Sequence, residues 1–221
     1  MFGKKNNALK LESYDDTALV QFSQLVEITK KTTVTVPPNY RAIAFIDGKP
    51  LFRIEACEKK QFVKAYKKEH IGKMIKIAYI TSHSFAQSPW GFGNIQVNNS
   101  ALKEAYRVGV NGKFSVDVTD YARLISAFPS KEIITAEDVR EKCISSIKTV
   151  GTPIVADYFS KTETSVFEMS SLIADFRKKF SEALMEEKIF SDLGIKISLL
   201  TVDGFYANED DLKIIKERLN K

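Results

Sequence analysis

The sequence predicts an α+β fold in which a mostly antiparallel sheet is packed by helices and the chain ends at the start of a further helix. Three observations predict it. Short runs at 32–54, 74–80 and 114–118 are rich in β-branched residues or alternate apolar with polar ones. Asp47-Gly48 and Asn111-Gly112 stand between apolar runs as hairpin signals. Apolar residues recur at helical spacing after Thr135 and again over 170–193.

Taken in order, 17–28 carries Leu19, Phe22, Leu25, Val26 and Ile28, which helical and strand templates fit equally badly, so its state stays open. Val34 and Val36 alternate with threonines, and 42–46 leads through Asp47-Gly48 into 51–54. Over 58–70 an amphipathic helix is expected, with Phe62, Val63, Tyr66 and His70 on one side and lysines on the rest. A β-compatible run follows at 74–80. Turn formers around Pro89, Trp90, Gly91, Phe92 and Gly93 make 84–99 read as a loop. Asn111-Gly112 then reads as the best hairpin of the chain, joining 102–110 to 114–118.

Thr119 or Asp120 caps a short helix running to Phe128, which Pro129 helps to end. A longer helix starts at Thr135, with Asp138 placed to favour the positive end of its dipole. Val139, Cys143, Ile144 and Ile147 follow at helical spacing, and Gly151-Thr152-Pro153 is expected to kink or break the helix. Leu172, Ile173, Phe176, Phe180, Leu184 and Ile189 form the stripe of one helix over 170–193 that stops at Gly194. A strand is expected at 195–202, and Asn208 caps a last helix whose Leu212, Ile215 and Leu219 face one way.

With 221 residues, 44% hydrophobic and 28% charged, the chain has the composition of a globular protein with one main domain. Net charge +5 and a pI near 9.0 favour acidic partners without the dense basic stripe of a dedicated nucleic-acid binder. Cys57 and Cys143 lack metal or CxxC spacing, and His70 and His83 are the sole histidines, which argues against a zinc site and for reduced thiols in a cytoplasmic setting. The sequence has no run of 18 apolar residues, and Met1-Phe2-Gly3-Lys4-Lys5 lacks the apolar core of a signal peptide, so neither a span nor standard export is expected.

Three segments carry a resemblance to a known family. Val36-Pro37-Pro38-Asn39-Tyr40-Arg41-Ala42-Ile43-Ala44-Phe45-Ile46-Asp47-Gly48-Lys49 is similar to an opening strand and hairpin in which a proline turn precedes a valine-rich run. The stretch from Tyr106-Arg107-Val108-Gly109-Val110 through Asn111-Gly112-Lys113-Phe114-Ser115 to Val116-Asp117-Val118-Thr119-Asp120 resembles a central hairpin whose second strand opens a helix. Leu193-Gly194-Ile195-Lys196-Ile197 through Gly204-Phe205 is similar to a closing strand after a long helix. Together they resemble the SPFH family of stomatin, prohibitin and flotillin over roughly 34–215. Pro89-Trp90-Gly91-Phe92-Gly93 looks like the soluble bacterial branch described as similar to poxvirus virion core protein. The hydrophobic anchor of many members is missing, and the coiled coil that follows the domain would begin near Asn208.

The resemblance implies an N-terminal extension or first strands at 1–33, an SPFH-like domain at 34–207, and the start of a C-terminal helix at 208–221. It implies no catalytic residues and no cofactor, and the sequence offers no GxSxG, P-loop or HExxH. Gly91-Phe92-Gly93-Asn94 is half of a dinucleotide fingerprint and reads as a tight loop. Asp15-Asp16 and Glu209-Asp210-Asp211 could bind a cation, but the second cluster sits where a helix start favours acidic groups.

Two places are singled out as contact sites. Residues 58–76 hold seven lysines against two glutamates, a surplus equal to the whole chain's +5. Lys59, Lys60, Lys64, Lys67 and Lys68 are therefore the expected contact for an anionic lipid surface or acidic partner. Trp90 and Phe92 are the expected partner loop. The function expected is a non-enzymatic, self-associating scaffold that organises membrane proteins or lipids at the cytoplasmic face of a membrane. A module regulating a membrane protease, and weak nucleic-acid binding through the lysines, are the alternatives; no small-molecule substrate or specific nucleic acid is expected.

Overall fold

The computed structural model describes residues 8–11, 15, 17–54, 61–62, 68–81 and 87–220. In chain order their strands are β1 (Ala8–Leu9), β2 (Ala18–Phe22), β3 (Val26–Glu27), β4 (Thr33–Val34), β5 (Tyr40–Ile46), β6 (Lys49–Ile54), β7 (Gln61–Phe62), β8 (Met74–Thr81), β9 (Ser88–Asn99), β10 (Glu104–Val118), β11 (Ile133–Thr135) and β12 (Ile195–Ala207). The helices are α1 (Tyr121–Ser126), α2 (Ala136–Lys161), α3 (Ile173–Glu186), α4 (Lys188–Asp192) and α5 (Glu209–Leu219), so the fold is α+β. The backbone divides into two compact units, residues 1–84 with 121–139, and residues 85–120 with 140–221. The boundaries expected at 33/34 and 207/208 do not coincide with this division.

In the first unit a sheet runs in the order β11-β2-β8-β5-β6, with β3 extending the pairing of β8. A smaller sheet, β1-β4-β7, includes one parallel pair, β1 with β4. Alternation sorts the side chains. Ala42, Ala44 and Ile46 of β5 and Ile75, Ile77 and Tyr79 of β8 point into one core with Leu9, Ile28 and Val34. The Asp47-Gly48 hairpin forms as expected, both residues having positive φ, 50° and 76°, as a two-residue turn between twisted strands requires. The open stretch 17–28 resolves into β2 and β3. Ser23 between them bonds Ile77 of β8 twice, donating its N–H at 2.8 Å and accepting at its hydroxyl at 2.9 Å. The helix expected at 58–70 is not found at Gln61–Phe62, which pair with β4 as strand. Residues 68–70 form a 3-10 turn and the remaining positions of that expectation lie outside the described residues.

Thr135 starts α2 as expected. Its hydroxyl accepts from the Asp138 N–H at 3.1 Å, and the Asp138 carboxylate accepts from the Thr135 N–H at 2.9 Å, a reciprocal cap. The helix then runs 26 residues through Pro153, without the break that was one of the two expected outcomes.

The second unit holds the sheet β12-β10-β9, all antiparallel. Here two expectations are corrected. Within 84–99, Ser88–Asn99 are not a loop but strand β9, which buries Trp90, Phe92, Ile95 and Val97 on one face. Asn111-Gly112 is not a hairpin turn either. It lies inside the 15-residue β10, at a register shift where Asn111 pairs Gly204 and Gly112 pairs Val202. Glycine is needed there because a Cβ would sit 1.8 Å from the Thr201 carbonyl oxygen. The true β9–β10 turn falls at 100–103, where Lys103 has φ 53°.

Helices α2 and α3 cover the buried face of this sheet through aromatic rings. Trp90 stacks on Phe180 with centroids 5.4 Å apart, and Phe180, Phe176 and Phe159 continue the stack at 5.1 and 6.1 Å. Gly151 lets α2 approach, because a Cβ would lie 2.7 Å from Phe92 and 2.8 Å from Phe180. The single helix expected at 170–193 is instead a 3-10 turn (Val166–Leu172), α3 and α4. Glu187, extended at φ −74° and ψ 129°, separates α3 from α4. Gly194, at φ 71°, provides the expected stop, and β12 follows.

Candidate functional site

Of the two contact places expected from sequence, the lysine run is largely outside view. Lys59, Lys60, Lys64 and Lys67 lie outside the described residues, and Lys68 is described only as backbone in its 3-10 turn. The partner loop is corrected: Trp90 and Phe92 sit in β9, 3% and 6% exposed, held in the ring stack, so neither is presented to a partner. Alternation along 90–97, apolar at Trp90, Phe92, Ile95 and Val97, is the signal that turn-forming glycines and proline obscured.

The first unit does bring together exposed apolar residues that sequence reasoning missed. Leu25, Leu51 and Met74 are exposed at 57%, 46% and 38%, whereas Ile43, Phe45, Ala78 and Ile80, on the face of the large sheet opposite the core, are buried. Register fixes where the exposed three lie. Val26 pairs Ile75 and Glu27 pairs Met74, which sets Leu25 beside the start of β8. Phe45 pairs Lys76 on one side and Pro50 on the other, which sets Lys76, Phe45 and Pro50 in one row across β8, β5 and β6. Phe22 and Phe45 meet edge to face at 6.3 Å, and the Lys76 ammonium lies 4.6 Å from the Phe22 ring centroid. Ile71, 40% exposed, and Lys73 occupy the turn entering β8, where Gly72 donates to the Ile28 carbonyl and Ile28 to that of Lys73, both at 2.9 Å. Lys30, Lys31, Lys49 and Arg53 lie in the same connected segments against Glu27, Asp47 and Glu69. Leu25, Leu51 and Met74 are thus exposed apolar side chains in segments that also carry Lys49, Arg53, Lys73 and Lys76. Long lysine stems suit such a place because they lie along apolar surface and keep the charge in solvent.

Other candidates resolve into structure. Asp15 accepts from the Thr17 N–H and hydroxyl at 2.8 and 2.6 Å, which holds its carboxyl below the usual range, and Asp16 lies outside the described residues. Asn208 caps α5 as expected, accepting from Asp210 and Asp211 at 3.1 and 3.3 Å. His70 is buried, with Glu69 3.8 Å away, and His83 lies outside the described residues. Cys143 is buried and free, and burial pushes its thiol up to about 12; Cys57 lies outside the described residues. Gly91 to Asn94 are strand, not a phosphate loop. Among the described residues no group of three or more His, Cys, Asp or Glu is placed to hold a metal ion, and no helix is long and apolar enough to cross a membrane.

In the second unit a groove of about 710 Å³ lies between α2 and α3, with Ile154, Leu172 and Ala183 in its wall. Its polar groups are paired with one another. The Tyr158 hydroxyl donates to Asp175 at 2.7 Å, Lys179 bridges the same carboxylate at 3.0 Å, and Lys161 bridges Asp157 at 2.6 Å. Burial first, then the Asp175 carboxylate, pushes the Tyr158 phenol upward, so it stays protonated and serves as a donor. No protein-family model matches the chain, and no curated protein matches it.

Proposed function

We propose that the protein is a non-enzymatic, self-associating scaffold resembling the SPFH family, and that it gathers lipids or membrane proteins at the cytoplasmic face of a membrane. The observation that supports this reading is the exposure of Leu25, Leu51 and Met74 in the segments that carry Lys73 and Lys76. Exposed large apolar side chains among cations fit a lipid interface whose headgroups are anionic. Each lysine near such a surface contributes about 1 kcal/mol of attraction, and fully burying one Leu or Met side chain about 1.5–3 kcal/mol. One subunit therefore binds weakly and reversibly. Lateral association multiplies that affinity without any new lipid contact, which is the physical reason for a scaffold to assemble.

Flotation with phosphatidylserine-containing and purely phosphatidylcholine vesicles, at low and high salt, tests this. Recovery is expected with anionic vesicles at low salt, with loss in Leu25→Ser/Met74→Ser and in Lys73→Glu/Lys76→Glu. Equal recovery of wild type and both variants removes these residues from the account.

A further inference from the structure

We propose that the first unit meets an anionic lipid surface end-on: three turns at one end of its large sheet enter the headgroup layer, and the strands stand away from the membrane. The proposal rests on the lipid reading above and adds which elements enter and how the sheet is oriented. Pairing defines the end. In the first row Glu27 pairs Met74, whose carbonyl accepts from the Asp47 N–H. In the second, Val26 pairs Ile75, Ile75 pairs Ile46 and Ile46 pairs Lys49; the third holds Lys76, Phe45 and Pro50. Beyond these rows the chain turns at 29–32 after β3, at 47–48 between β5 and β6, and at 70–73 before β8. Ile71 stands in the last of these turns and Met74 in the first row, while Leu25 and Leu51 each follow or precede a paired residue of the second or third row by one position. Among the described residues of this unit, four of the five exposed large apolar side chains therefore gather at one end of the sheet, and the fifth, Ile133, lies in β11 opposite Gln21. At the other end, where Tyr40 pairs Thr81, Ile54 and Ile80 are buried.

The backbone and the charge of these turns both suit a headgroup layer. Gly72 donates its N–H to the Ile28 carbonyl and Ile28 to that of Lys73, both at 2.9 Å; Lys73 donates to His70 at 3.0 Å, and Asp47 to Met74 and Thr32 to Thr29 at 3.1 Å. Backbone N–H groups already bonded within the protein lose little on leaving bulk water. Residues 25–31, 45–53 and 69–76 carry Lys30, Lys31, Lys49, Arg53, Lys73 and Lys76 against Glu27, Asp47 and Glu69, a surplus of cations that anionic headgroups attract. Rows about 3.4 Å apart, with the turn beyond them, set Leu25 and Leu51 about 7–10 Å behind the tips, close to the depth of about 5–10 Å at which interfacial apolar elements lie. A protein partner fits this end less well, because the apolar side chains stand on separate turns with carboxylates between them, whereas the core of a protein interface is depleted of charge.

Tryptophans placed at three heights of the sheet test the orientation. Ile71→Trp marks a tip, Leu51→Trp the third row, and Pro38→Trp the exposed turn before β5 at the opposite end; all three sites lie at the surface, and an unchanged thermal midpoint verifies each fold. Each variant is mixed with phosphatidylserine-containing vesicles whose acyl chains carry bromine, and flotation is read on the same samples. Quenching is expected to fall from position 71 to position 51 and to be absent at 38, and Lys30→Glu/Lys31→Glu to lose flotation at low salt. Quenching at 38 equal to that at 71, in protein that co-floats, overturns the end-on orientation and leaves the lipid reading standing. Full flotation of Lys30→Glu/Lys31→Glu removes the 29–32 turn from the contact and also overturns it. A chain that fails to co-float with anionic vesicles overturns this proposal together with the lipid reading.

Discussion

Arg107 and Asp211, 104 positions apart in sequence, are joined by three hydrogen bonds. The Arg107 backbone N–H and Nε both donate to one carboxylate oxygen, at 2.8 and 2.9 Å, and Nη2 donates to the other at 3.0 Å. Nη2 also donates to the Asn208 side chain at 3.0 Å, so one guanidinium fixes both the cap and the first turn of α5 against β10. The fork of an arginine matches a carboxylate in a way lysine cannot.

The bonds from Arg107 hold the Asp211 carboxyl below the usual carboxylate range. A depressed folded-state pKa means that the unfolded chain takes up the proton first. The stabilisation is therefore present above about pH 4 and lost as pH falls from there through the folded value. Asp211→Asn is expected to flatten this acid limb by up to one proton per molecule and to raise amide hydrogen exchange in α5 at neutral pH. Thermal melts from pH 6 to pH 2 and exchange mass spectrometry measure the two effects.

Gly112→Ala is expected to destabilise by about 3 kcal/mol or more, because the new methyl meets the Thr201 carbonyl, a backbone atom that cannot rotate away. Gly91→Ala, whose Cβ would approach Asn111 no closer than 3.4 Å, should stay within about 1 kcal/mol. Urea midpoints of the pair distinguish a bulge that needs glycine from a strand position that does not.

Trp90→Ala should cost about 3–5 kcal/mol, since it removes the ring stacked on Phe180 and packed at a tilt against Phe92 from a buried site. A surface contact residue would change stability by no more than about 0.5 kcal/mol. Denaturant titration decides between the two roles.

Cys143, fully buried with its thiol pushed up to about 12, should resist iodoacetamide at pH 8 in the folded protein and react once urea unfolds it. Mass spectrometry of the peptide containing Cys143 follows the label.

The contrast between Asp47-Gly48 and Asn111-Gly112 explains what was legible in the sequence. Both dipeptides read as hairpin turns. The first is one, because the chain reverses there and Ile46 pairs Lys49 directly across the two residues. The second lies where β10 is held along its whole length between β9 and β12, and its glycine answers a close approach from Thr201 far along the chain. Local signals succeeded where local bonds decide: Thr135 with Asp138, Asn208 with α5, and Gly194 after α4. They failed at Trp90, where packing against Phe180 overrides the preferences of proline and glycine. The exposed Leu25, Leu51 and Met74 were unreadable as a group because they lie 23 or more positions apart in sequence and come to one sheet only through the pairing of β3, β5, β6 and β8. Their one trace in sequence is Lys76, a charge inside an otherwise apolar strand.

The lipid-facing role of Leu25, Leu51 and Met74 is tested most directly by fluorescence quenching with brominated-acyl lipids. Met74→Trp and, on the sheet face of the other unit, Asn98→Trp are each mixed with phosphatidylserine-containing vesicles; Trp90, 3% exposed, contributes a constant background. Strong quenching of the tryptophan at 74 and none at 98 is the predicted result. Equal quenching at both positions, or none at 74 while the protein co-floats with the vesicles, would contradict it.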